Sequence, residues 1–209
     1  MIIKSISGKS CWLKNAIMEH SEHFGQKMKR LIYIYKEDDE NSKALKKKFK
    51  NGIFLKNIPD DIEEMIEPGK TIVCIDDFQM DLCEKRHVKM LKRWGTVSLH
   101  HWNFSLIITL QSYDVFYKRN ELNFLLYQTK SIILFRSLNN FCALKRFLNA
   151  YEIRLQGNAT LYEVFKTFVQ SKPYSHIIVN LSPKLKSPQV YSQILLCDDR
   201  PLLLFHEDE

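Results

Sequence analysis

The chain has 209 residues, 45% of them hydrophobic and 12% aromatic, with only 6 glycines and 6 prolines. This composition excludes disordered, fibrous and low-complexity classes. Its 31 Lys and Arg against 24 Asp and Glu leave a net charge of +7, which favours a polyanionic partner without requiring one. The cysteines Cys11, Cys74, Cys83, Cys142 and Cys197 contain no CxxC pair, so neither a disulfide framework nor a zinc site is expected, and a reducing compartment fits best.

In chain order, short apolar runs alternate with helical stretches. Strands are predicted at 1–3, 31–35 (LIYIY), 53–55, 71–75 (TIVCI), 105–110 (SLIITL), 131–135 (SIILF) and 176–181 (HIIVNL). Helices are predicted near 10–23, 41–50, 82–94, 120–128, 139–151 and 160–171. Several strands are continuously apolar, as in parallel sheets covered on both faces, and the βα alternation predicts an α/β sandwich. Pro68-Gly69 forms a turn before TIVCI, and Pro183, Pro188 and Pro201 keep the tail non-helical. A single domain over 1–209 is expected, with 172–209 as a strand-and-turn segment completing the sheet. No run approaches the roughly 18 apolar residues of a membrane span, and the start lacks a signal-like apolar core. A soluble intracellular chain that is not secreted is the expectation.

Three groups of residues point to chemistry. Ser7-Gly8-Lys9-Ser10 precedes a helical run beginning at Cys11. In a phosphate-binding loop, backbone N–H groups and the helix N-terminus cradle the β-phosphate, Lys reaches the β- and γ-phosphates, and Ser holds Mg2+. Ser7, Gly8, Lys9, Ser10 and Cys11 are the candidates for that cradle. The full pattern asks for a glycine five positions before Gly8, where Ile3 stands. Second, TIVCI ends in Asp76-Asp77, placing two carboxylates where α/β sheets put their ligands. Asp76 is expected to orient Mg2+ or its water, and Asp77 to polarise the attacking water as general base. Third, the strand at 105–110 ends in Gln111, an amide able to sense a γ-phosphate.

Two groups invite functional readings and are better explained structurally. His100-His101 are read as adjacent residues approaching a strand, which point to opposite sides and cannot easily share a metal. Trp12, Trp94 and Trp102 are expected to pack rather than stack on bases, and the acidic residues of 60–67 are expected to form a solvated helix.

The ordered motifs resemble the genome-packaging ATPases of large and mid-sized DNA viruses, including poxvirus-like ones, and of Polinton- and adintovirus-like elements, within the FtsK–HerA class of P-loop ATPases. The matching stretches are LIYIYKED (31–38), GIFLKNIPDD (52–61), EPGKTIVCIDDFQ (67–79), SLHHWNFSLIITLQS (98–112), KSIILFRSLNN (130–140) and SKPYSHIIVNLSP (171–183). The resemblance implies a RecA-like P-loop NTPase fold, ATP and Mg2+ as cofactors, and double-stranded DNA as the translocated substrate. It further implies a homo-oligomeric ring and a role in virion assembly, where capsid proteins are possible partners. By the same resemblance, Lys9 and Ser10 match the loop Lys and Ser, Asp76 and Asp77 the Walker B pair, and Gln111 the sensor. The first motif is shortened at the N-terminus, Trp102 stands where many relatives carry Arg, and Thr109 is displaced by one from the sensor-neighbouring Thr. Arg136, at a strand end, is the first choice for a trans-acting arginine finger, ahead of Arg93 and Arg119. A catalytically impaired descendant serving as a DNA-binding or assembly subunit is the alternative from another class. A nucleotide kinase, for which no Arg-rich lid is evident, is the third.

Overall fold

The computed structural model describes residues 8–19, 29–111, 122–135, 142, 145, 148, 160–169, 176–180, 189–192 and 202–205. Four strands, β1 (Arg30–Tyr35), β2 (Ile53–Leu55), β3 (Thr71–Asp76) and β4 (Ser105–Ile108), form a parallel sheet in the order β2-β1-β3-β4. The register pairs Tyr33 with Phe54 and Cys74, and Cys74 in turn with Ile107. All of β3 is buried, as is β1 after Arg30. Continuous apolar runs were the sequence sign of this double burial. The α/β architecture with a parallel sheet flanked by helices is therefore as expected.

On one face, Leu13 and Ile17 of α1 (Lys9–Glu19) and Leu45 of α2 (Glu40–Lys48) join Leu31, Tyr33, Tyr35, Ile72 and Cys74 in one buried cluster. Because side chains alternate along a strand, Ile32, Ile34, Val73 and Ile75 face the other way, and they too are fully buried. Local chemistry explains α2 well. Asp39 accepts from the Ser42 amide at 2.7 Å while Ser42 Oγ accepts from the Asp39 amide at 3.0 Å, a reciprocal cap. Glu40 opens the helix and Lys46, Lys47 and Lys48 close it, in accord with the macrodipole.

The turn before β3 is built as its residues suggest. Gly69 takes φ 71°, and its N–H donates to the Trp102 carbonyl at 2.7 Å; the positive φ is open to glycine at no steric cost. After β3, α3 (Lys85–Arg93) runs through a π-helical turn (Trp94–Ser98) into α4 (Leu99–Trp102), which Asn103 ends at φ 49°. The stretch around His100-His101 is thus helical, not the strand approach read from sequence. Nor are residues 60–67 a solvated helix: only Ile62–Met65 is helical, as a 3-10 turn. Glu63 is recruited there, accepting from Trp94 Nε1 at 2.9 Å and pairing with Arg93 at 3.1 Å. Trp94 is fully buried, edge-on to Phe104 at 5.5 Å, in the packing role expected for it.

A second sheet contains β5 (Ser131–Phe135), β6 (His176–Asn180), β7 (Gln189–Ser192) and β8 (Leu202–Phe205). All its pairings are antiparallel, in the order β5-β6-β7-β8. The C-terminal strands therefore pair with β5 and not with the parallel sheet among the described residues, a departure from the expectation. An apolar run reports that a strand is covered on both faces; it does not report its direction. Two further helices are α5 (Asn123–Gln128) and α6 (Leu161–Val169). The chain divides into two compact units, built mainly on Lys9–Gln111 and on Tyr127–Glu209. The strand expected at 1–3 lies outside the described residues, as does most of the helix expected at 139–151. No described helix is long and apolar enough to cross a membrane.

Candidate active site

The C-terminal ends of parallel strands, where the chain leaves the sheet, are natural ligand sites. At this edge β3 ends in Asp76, β4 leads into Thr109, and α1 begins with Lys9 and Ser10. Gly8 precedes the helix at φ 75°, a conformation that favours glycine. Asp76 is buried and collects hydroxyl donors from three elements. Ser10 Oγ donates to its Oδ1 at 3.3 Å, Tyr33 OH to its Oδ2 at 2.8 Å, and Thr109 Oγ1 to its Oδ1. Burial of a carboxylate is tolerable only with such donors. Tyr33 in turn has its pKa raised, by burial first and then by the adjacent Asp76 charge, so its hydroxyl stays a donor.

Asp77 follows immediately with φ 63°, the left-handed region that non-glycine residues occupy at some cost. Its amide donates to Thr109 Oγ1 at 3.1 Å, so one hydroxyl ties the backbone of Asp77 to the carboxylate of Asp76. This turn sends the two carboxylates in different directions, Asp76 inward and Asp77 to the exposed mouth. There Gln111 Nε2 donates to Asp77 Oδ1 at 2.6 Å, while the Gln111 amide donates to Gln79 Oε1 at 2.9 Å.

The charged groups at this edge are partly withdrawn from water. Asp77 reaches solvent, yet loss of hydration around its carboxyl raises its pKa above the ordinary 3.8, and the nearby Asp76 charge adds to the rise. The Gln111 hydrogen bond and the charges of Lys9 and Lys36 oppose it. Lys9 is half-buried, and desolvation lowers its pKa against the pull of Asp77 and Asp76. A desolvated ammonium and a desolvated carboxylate near one another at one sheet edge are marks of a functional site.

Lys9, Ser10, Asp76, Asp77 and Gln111, all singled out from sequence, thus meet at one sheet edge. Cys11 stands in the first turn of α1 with its side chain exposed. Ser7 and Arg136 lie outside the described residues. Three contributors escaped sequence reasoning: Tyr33, Gln79 and, except as a displaced residue, Thr109. The only trace of Tyr33 was a pair of tyrosines on the same side of LIYIY.

Substituting Tyr33→Phe keeps the ring beside Tyr35 and Phe54, at centroid distances of 5.5 and 6.2 Å, and deletes only the donor. A hydrogen bond to a buried charged group is worth about 1.5–3 kcal/mol, so urea unfolding is expected to show a loss of that size. An unchanged midpoint would mean that Oδ2 does not depend on Tyr33.

No protein-family model matches the chain, and no curated protein matches it. Among solved structures it is similar to the genome-packaging NTPase B204 from Sulfolobus turreted icosahedral virus 2. Against that protein in complex with AMP the TM-score is 0.55 at 16% identity, covering 92% of this chain and 95% of that one. Against its complex with ATP-gammaS the TM-score is 0.54, with the same identity and coverage. At this identity the likeness is one of fold: the chain has the α/β fold of a packaging NTPase.

Proposed function

We propose that this chain is an ATP-hydrolysing motor of the viral genome-packaging type and of the FtsK–HerA class, coupling Mg-ATP hydrolysis to the movement of double-stranded DNA. The observation that carries the reading is the meeting of Ser10 with Asp76 beneath Lys9 and Asp77. The likeness of fold to a viral packaging NTPase supports it.

The donor set suits Mg2+. Among the described residues no three His, Cys, Asp or Glu side chains cluster as a metal cage, and Mg2+ rarely uses one. It binds through one or two protein oxygens plus phosphates and water, at about 2.0–2.1 Å, which puts neighbouring ligands about 2.9 Å apart. Ser10 Oγ and Asp76 Oδ1, 3.3 Å apart, are close to that spacing. Ser10 and Asp76 would hold the ion, whose positive charge would offset charge developing on the phosphates. Lys9 would neutralise the same phosphates, helped by backbone N–H groups from Ser7 to Cys11. Asp77 would hold the attacking water and take its proton, its raised pKa making it a stronger base than an ordinary carboxylate. Gln111, bonded to Asp77, would report the presence of the γ-phosphate to that base.

This assignment fixes the sign of a pH effect. Asp77 must be ionised to act, so activity falls as pH drops through its raised pKa. Gln111 donates to the ionised form and holds that pKa down. Gln111→Ala is therefore expected to move the acid limb of the kcat profile to higher pH, apart from any loss in rate. A limb that stays put or moves lower would break the Asp77–Gln111 assignment.

In the assembled motor we place the subunits in a homo-oligomeric ring with Arg136 as the finger acting in trans. Arg93, one alternative, pairs with Glu63. Duplex DNA would contact basic surface drawn from the Lys/Arg runs at 43–50 and 85–93 through its phosphates alone, since a motor must grip any base pair, and capsid proteins would be assembly partners. We retain 1–209 as one ATPase domain. Ile3 at the place of the leading loop glycine favours one other reading, a non-catalytic descendant with the same fold. Phosphate release from Mg-ATP by the wild-type chain, with and without duplex DNA, separates the two: the motor turns over and is stimulated by DNA, whereas the descendant releases nothing.

A further inference from the structure

The basic run of α3 is not uniform. Its two arginines are engaged: Arg86 pairs with Glu84 at 3.0 Å and Asp60 at 3.7 Å, and Arg93 with Glu63 at 3.1 Å. Lys85, Lys89 and Lys92 are exposed and form no salt bridge or side-chain hydrogen bond among the described residues. At 100° per residue these three fall within about 60° of one another, a single stripe about 10 Å long. Opposite it His87 and Leu91 are buried, and Val88 is buried along its flank.

Helix stability accounts for only one end of the stripe, since Lys92 lies in the last turn of α3, where the dipole favours a cation. The first turn of α3 holds Lys85 and Arg86 with no acid, and Glu84 makes no side-chain cap. Cations there oppose the macrodipole. Most lysines of α2 are different: Lys46, Lys47 and Lys48 sit in the last turn, where the dipole favours them. Lys46 pairs with Asp38 at 2.8 Å, and Lys48 donates to the Met18 carbonyl. The α2 run is explained by its own helix except at Lys43, whereas in α3 the dipole explains Lys92 but not Lys85 or Lys89.

Nor is α3 remote from the candidate site. The segment joining them is pinned at several points: Gln79 accepts from the Gln111 amide, and the Asp81 carboxylate pairs with Lys36 at 2.6 Å. The Asp81 carbonyl, which can only accept, takes a hydrogen bond from His87 Nδ1 at 2.7 Å. The first turn of α3 is thereby tied to the loop that begins at Asp77.

We infer that the Lys85–Lys89–Lys92 stripe is the surface on which this chain holds the phosphate backbone of duplex DNA. The inference rests on the motor reading above and narrows it to one helix face. Phosphates along one strand rise about 3.4 Å each, so a stripe of about 10 Å spans roughly three. Each contact contributes about 0.9 to the slope of log affinity against log salt.

The test uses the full chain and a random-sequence duplex, titrated by fluorescence anisotropy between low and physiological salt. The triple variant Lys85→Ala, Lys89→Ala, Lys92→Ala is expected to lose about three units of slope, to lose DNA stimulation of turnover, and to keep basal turnover in Mg-ATP. The pair Lys43→Ala, Lys47→Ala on α2 is expected to change the slope by less than one unit. A triple variant that retains the wild-type slope while the wild type binds DNA overturns the stripe and leaves the motor reading standing. A wild type without duplex affinity, or one that prefers single-stranded RNA, overturns both.

Discussion

Asp77→Asn is expected to lower kcat for Mg-ATP at least about 100-fold, the lower end of what a positioned general base contributes, while the Kd for ATPγS stays within about threefold. The substitution is a clean one for structural reasons. Asp77 lies at φ 63°, and asparagine accepts that left-handed conformation as readily as aspartate does. An amide oxygen at the same place can still accept from Gln111 Nε2, so this 2.6 Å contact survives. What disappears is the negative charge and with it the ability to take a proton. Phosphates approaching the cleft also meet one fewer like charge, so binding has no reason to weaken. Turnover that persists at the wild-type rate would remove Asp77 from the base role and return the question to the other groups at the sheet edge.

Lys9→Ala is expected to show the complementary pattern. Charge-assisted hydrogen bonds contribute about 1.5–3 kcal/mol, so the loss of this ammonium should weaken ATPγS binding about tenfold to a hundredfold and abolish turnover. The folded protein should not suffer. Alanine is the best helix former for the first turn of α1. Lys9 also carries a pKa lowered by desolvation, which means that its charge is a burden on the folded state near neutral pH. By linkage, a group whose folded pKa is depressed below its unfolded value binds protons less well when folded, and this cost is present wherever the unfolded Lys is protonated. Thermal unfolding of the apo variant is therefore expected at or above the wild-type midpoint. A drop in that midpoint with nucleotide affinity intact would make Lys9 a structural residue.

These two residues were visible in the sequence because both follow local signals. Gly8-Lys9-Ser10 opens a helical run, and Asp76-Asp77 closes an apolar strand that Pro68-Gly69 starts. The reciprocal cap of α2 is equally local, spanning three residues. The clamp on Asp76 was not visible, since Tyr33 is 43 residues away and Thr109 is 33. Only strand order brings them together: β3 lies between β1 and β4, so its terminal carboxylate meets a hydroxyl from each side. Strand direction was the other blind spot. SIILF is as apolar as TIVCI, and HIIVN is buried over its first four residues, yet they pair antiparallel, because burial sets residue type and connections set direction. Lys85, Lys89 and Lys92 were legible as charge but not as a stripe, since only the ion pairs of Arg86 and Arg93 separate them from the rest of the run.

Crystals of the chain grown with Mn2+ and ATPγS, with anomalous data collected at the manganese edge, test the nucleotide site most directly. The account predicts one metal peak within about 2–2.5 Å of Ser10 Oγ, reaching Asp76 directly or through one water, with the terminal phosphates against Lys9 Nζ. A triphosphate seated elsewhere, or a metal that ignores Ser10, would contradict it.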